Sequence, residues 1–167
     1  MAFLSPDTFI GSLEDAIITH ITTRMTANSY TVVGAINKEL PRKLTYPTIT
    51  LTDLGHISES SGGMNIVGRS ATNVIQQSKY LTFTYAVTVT TDDNTGKQTT
   101  LNKICSVLIK DCFEQHLHTL LTNVGGIDAS LDGQGIYVGG HLQDTTLYER
   151  GFELTIRIIV PDDVVAI

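Results

Sequence analysis

The side chains able to do chemistry in this 167-residue chain are few, and their spacing suits chemistry poorly. His116 and His118 stand two apart in a segment of helical period. At that spacing they point to opposite flanks, whereas zinc-binding helices place ligands at i and i+4, and no nearby Cys or carboxylate completes a set. Asp92, Asn94 and Gly96 in DDNTG suggest a calcium loop, but the twelfth position is Lys103, where an EF-hand places a bidentate Glu. A turn leading into a helix is the expectation there. The carboxylate pairs Glu14 and Asp15, Asp92 and Asp93, and Asp162 and Asp163 are adjacent, so within one element they do not converge on a point. Gly133, Gly135, Gly139 and Gly140 lack the G-x-G-x-x-G spacing and precede no helix, which leaves hairpins and bulges to account for them. Neither a G-x-S-x-G elbow nor a P-loop occurs in the sequence. An enzymatic alternative would have to recruit His56, Asp53 and Arg69, which form no motif. The chain reads as a non-enzyme, with no catalytic residue, cofactor or metal expected.

Cys105 and Cys112 lie seven apart on the apolar face of one predicted helix, about 10 Å along its axis, beyond the roughly 7 Å reach of a disulfide. They are expected to be free, buried packing residues in a cytosolic setting. The net charge of −6 argues against a protein that coats nucleic acid. Lys38, Arg42 and Lys43 are the one basic cluster, read as a solvated turn beside Pro41. No segment approaches the roughly 18 to 20 apolar residues of a membrane helix, and the N-terminus lacks the features of a signal peptide.

The elements that must carry function are clearer. Residues 80–91 (YLTFTYAVTVTT) and 150–160 (RGFELTIRIIV) alternate apolar and polar residues, each presenting one face to a core. A first helix is predicted over 6–25, with Ser5 as N-cap, Pro6 in the first turn, Asp7 complementing the dipole, and a stripe of Phe9, Leu13, Ala16, Ile17, Ile21 and Met25. Strands are predicted over 30–36 and 46–53 as hairpin neighbours, with Pro47 at a strand start or edge. A second, uninterrupted amphipathic helix is predicted from residue 99 or 100 to 121, and a short strand over 134–141. Residues 55–79 lose periodicity and read as a long polar loop. It is either an arm that orders on a partner, with a small apolar patch at Met64, Ile66 and Val67, or an extra hairpin. Residues 161–167 read as a short tail. The expectation is one α+β domain over 1–167: a mostly antiparallel sheet with the N-terminal helix and the second amphipathic helix packed on one face.

In this order of elements the chain resembles the tail terminator proteins of long-tailed bacteriophages. The resemblance is carried by the N-terminal amphipathic helix, YPTITLTDL, YLTFTYAVTVTT feeding LNKICSVLIKDCFEQHL, and the closing ERGFELTIRIIV before a short tail. It covers nearly the whole chain and includes no catalytic signature. It implies a structural virion protein, assembled in the host cytoplasm, that forms a hexameric ring at the head-proximal end of the tail. Such a ring stops tube polymerisation and offers a surface for head–tail joining. The implied partners are further copies of the chain, the tail tube protein and a head connector or neck protein, with DNA passing through an acidic lumen without specific binding and no membrane involved. On this resemblance Met64, Ile66, Val67 and Arg69 are candidates to contact the tube or a neighbouring subunit, and Val164, Val165 and Ile167 to pack on a neighbour. Two alternatives stay open: another neck, head-completion or tail-tube component, and a soluble module that binds a peptide by strand addition.

Overall fold

In a computed structural model the described residues are 9–30, 45–59, 66–69, 75–124, 126–142 and 145–164. Their fold is α+β. Helix α1 (Phe9–Ala27) is followed by strands β1 (Thr48–Glu59), β2 (Ile66–Arg69) and β3 (Ile75–Asp92). Then come α2 (Lys97–Val107), a π-helical segment (Leu108–Gln115), α3 (Leu117–Val124), β4 (Gly126–Leu142) and β5 (Thr145–Val164). The strands form one antiparallel sheet in the order β1-β3-β5-β4, with β2 also pairing with β3.

Strict alternation sets the faces. Phe83, Tyr85, Val87 and Val89 of β3 join Ile49 and Leu51 of β1 and Phe152, Leu154, Ile156 and Ile158 of β5 in one buried cluster. The helices cover this face with Leu13, Ile17, Ile21 and Met25 of α1 and Leu101, Ile104 and Cys105 of α2. Each fully buried side chain of this kind is worth about 1.5–3 kcal/mol of transfer free energy. On the opposite face the register sets Thr50 beside Thr88, Thr52 beside Ala86, and Thr155 between Thr84 and Ser130. Thr52 and Ser130 are exposed and Thr84, Thr88 and Thr155 half-buried, while Thr50 is buried, as are Thr48 and Thr90 toward the Asp92 end.

The predicted uninterrupted helix over 99–121 is corrected to three pieces. At 100° per residue, Leu117, Leu120 and Val124 would fall roughly 120° round from the stripe of Leu101, Cys105, Leu108 and Cys112. The wider i→i+5 turns of the π segment rotate less per residue and take up that drift, and both Leu120 and Val124 end buried. The chain breaks at His116 and restarts as α3.

Of the two readings of 55–79, the long loop is corrected and the extra strand pairing is observed: β1 continues to Glu59, β2 occupies Ile66–Arg69 in antiparallel pairing with β3, and β3 begins at Ile75. The cause is a β-bulge between Asp53 and Gly55. Leu54 is the extra residue, Gly55 has φ of +118°, and the Gly55 N–H donates to Asp53 Oδ1 at 2.7 Å. One inserted residue reverses the inward and outward sense of everything after it, so the alternation looks lost while pairing persists. β4 hides in the same way: it runs well beyond the predicted 134–141, with register shifts at Gly126/Asp128, Gly133/Ile136 and Gly139/His141. The expected tail at 161–167 begins as strand, because β5 pairs with β3 as far as Val164. The predicted strand over 31–36, the basic cluster Lys38, Arg42 and Lys43, and the helix-start residues Ser5, Pro6 and Asp7 lie outside the described residues.

Candidate functional site

Among the described residues, a polar constellation lies where α1 crosses the π segment. Arg24 grips Asp111 in two parallel hydrogen bonds, Nε to Oδ2 at 2.6 Å and Nη2 to Oδ1 at 2.8 Å. The Arg24 guanidinium holds the Asp111 carboxyl below the usual range, and the same contact raises the Arg24 pKa. His20, 6% exposed, places Nε2 2.9 Å from the carbonyl of Cys112. A carbonyl only accepts, so Nε2 carries the proton. His116 Nδ1 donates to the Asp111 carbonyl at 2.9 Å and stands 3.6 Å from its Oδ1. Burial is the main cause lowering the His20 pKa, and the nearby Arg24 and His116 add to it.

A π segment strains the ordinary ladder of carbonyl partners, and here two imidazoles supply donors to two of its carbonyls. His20, Arg24, Asp15, Thr23, His116 and Asn123 border an open groove of about 430 Å³ beside this junction. No Ser, Thr or Cys nucleophile is hydrogen-bonded to either ring among the described contacts. The arrangement fastens α1 to the π segment. Sequence reasoning passed over His20 and Arg24. Their signal was four-residue spacing on the flank of the α1 stripe, level with Ala16, Ile17 and Ile21.

The carboxylates of the DDNTG turn are committed to backbone N–H and hydroxyl donors. Asp92 Oδ1 accepts from Asn94 N, Thr95 N and Thr95 Oγ1, and Asp93 accepts from Thr146 N at 3.1 Å and from the Tyr148 hydroxyl at 3.1 Å. The Thr146 N–H, first among several contacts, lowers the Asp93 pKa. This clamp joins the β3–α2 turn to the start of β5, and α2 follows directly at Lys97. Among the described residues no group of three or more His, Cys, Asp or Glu side chains is placed to hold a metal.

Of the partner-contact candidates, Ile66, Val67 and Arg69 lie in β2, and Val164 ends β5. The register brings the two groups together: Arg69 pairs with Ile75, and Ile75 pairs on its other side with Val164. They meet at the tip of a ribbon formed where β3 and β5 stay paired from Tyr80↔Ile159 to Ile75↔Val164, about 17 Å at the usual rise of a strand. Met64, Val165 and Ile167 lie outside the described residues. The enzymatic trio is not assembled. His56 pairs opposite Phe83 and Arg69 opposite Ile75, about 26 Å apart along β3, and Asp53 accepts from Gly55 N.

No protein-family model matches the chain, and no curated protein matches it. Among the described residues no helix is long and apolar enough to cross a membrane.

Proposed function

We propose that this chain is a structural ring subunit at the head-proximal end of a phage tail, where it caps the tube and offers a surface to the head connector. The observation that carries the reading is the one-sided sheet. The described helices lie on one face, the other carries a partly exposed field of Thr and Ser, and the central strands run on into a ribbon at whose tip β2 and the end of β5 meet. That is an architecture of contact surfaces, and its polar cluster is spent on holding a helix. The order of elements behind the resemblance to tail terminators recurs in the fold, and the net charge of −6 suits a ring through which DNA slides without sticking.

The test is light scattering on size-separated protein over a range of concentrations, with and without purified tail tube, followed by negative-stain imaging. Rings with a central hole, alone or seated on tube ends, are the expected result. A chain that stays monomeric at every concentration and leaves tube ends bare refutes it.

A further inference from the structure

On the sheet face turned away from the described helices, the Asp92 end gathers oxygen atoms that lack partners. There Thr48 of β1, Thr90 of β3 and Glu149 of β5 stand in one cross-strand row, with about 4.5–5.5 Å between neighbouring Cβ atoms. Asp92 lies on the same face of β3, two residues beyond Thr90, and Tyr46 precedes Thr48 by two. Thr90 Oγ1 donates to Glu149 Oε1 at 3.3 Å. Thr48 is 1% exposed, yet its Oγ1 meets no hydrogen-bond partner, and the Tyr46 hydroxyl is buried and unpartnered as well. A buried polar group left in this way is costly, and a bound ion is one of the few things that accounts for it. Charge points the same way. Burial is the main cause raising the Tyr46 pKa, and the charges of Glu149 and then Asp92 add to it, so both carboxylates bear on this one hydroxyl. The three bonds that Asp92 accepts within its turn all fall on Oδ1. Two adjoining cations are directed elsewhere: the Arg150 guanidinium stacks over the Phe152 ring at 5.5 Å, on the helix-covered face, and Lys97 stands 4.0 Å from Asp93. Among the described residues neither Asp92 nor Glu149 has an ion-pair partner.

We infer that Asp92, Glu149, Thr48 and Tyr46 form a binding site for a hard divalent cation, calcium in particular, where β1, β3 and β5 come together. Calcium takes six to eight oxygen ligands in a flexible arrangement, whereas magnesium demands a near-ideal octahedron. Carboxylates and hydroxyls brought from three strands, with water completing the shell, suit the first, and an all-oxygen donor set does not favour zinc or copper. The DDNTG run lacks the acidic twelfth residue of a calcium loop, and the sheet supplies the second acid from β5 instead. With only two charged ligands, the site belongs to the weak class, with a dissociation constant of about 0.1–1 mM. Its ion ties the start of β1 and the middle of β5 to the β3–α2 turn. The site stands independently of the ring reading.

The test compares thermal unfolding of the full chain, stripped of metal, in calcium chloride and in sodium chloride of equal ionic strength, beside calorimetric titration with calcium. At about 10 mM calcium the melting temperature should rise by at least about 3 °C over the sodium control. Glu149→Gln keeps an oxygen for Thr90 to donate to, and should lose that rise and weaken calcium binding at least about tenfold. Thr48→Val keeps the shape and removes the hydroxyl. The metal-free variant should melt no lower than wild type, because an unpartnered buried hydroxyl is gone, while its calcium binding weakens at least about threefold. A purely structural Thr48 would leave the titration unchanged. A calcium effect no larger than that of sodium chloride would overturn the site, as would a rise retained in full by Glu149→Gln or calcium bound equally well by Thr48→Val.

Discussion

Replacing Leu120 by alanine tests whether the π segment turns α3 onto the sheet. Leu120 is fully buried in the core, yet on an uninterrupted α-helix it would lie roughly 100° from the stripe of Leu101, Leu108 and Cys112, on the flank and off the core-facing side. The two geometries give different costs. If it is buried as observed, truncation removes three methylene equivalents at about 0.8 kcal/mol each, or about 2.4 kcal/mol of transfer free energy. The cavity left behind brings the expected loss to about 3–5 kcal/mol. Facing solvent, the same change would cost no more than about 0.5 kcal/mol, as is expected of neighbouring exposed Thr119→Ala. Urea unfolding followed by far-ultraviolet circular dichroism reads the difference as a lower midpoint at unchanged slope. A loss below about 1 kcal/mol for Leu120→Ala would refute the π correction and restore a straight helix with its last turns in water.

Three further outcomes are expected. Because burial lowers the His20 pKa below 6.5, the unfolded chain binds a proton that the folded chain resists. Stability should therefore be complete above about pH 6.5 and decline as pH falls through the window between the two values. Melting temperatures across pH 5–8 should show this slope, reduced in His20→Gln. In Gly96→Ala the new Cβ would lie 1.8 Å from Thr100 Oγ1 on a residue at φ of +106°; a loss of at least about 1 kcal/mol is expected, and adding Thr100→Ala should recover only part of it, read by the same denaturation assay. Cys105 and Cys112 should resist a thiol-labelling reagent at pH 8 in the native chain and react fully in denaturant, since their burial holds both thiols protonated.

What could be read from the sequence divides along a physical line. Local period carries the faces of β3 and β5, the α1 stripe and the burial of both cysteines, because each depends only on neighbours two, three or four residues away. It fails wherever one residue changes the phase. The bulge at Leu54 makes a continuing strand look like loop, the glycine-marked shifts in β4 conceal most of its length, and the π segment lets a drifting stripe stay on the core. Each failure left a mark: the apolar positions at 117, 120 and 124 are out of step with those at 101, 105 and 108, and the glycines stand where the strand alternation breaks. The Arg24–Asp111 grip belongs to another class, because its partners are 87 residues apart and neither has a spacing that announces the other. The same holds for Arg69 and Val164, which meet only because Ile75 pairs with both. Phase errors can thus be found by testing a segment against two periods joined at one residue. Long-range pairings need the register of the sheet, and it is at these pairings that the ribbon tip and the α1 lock are made.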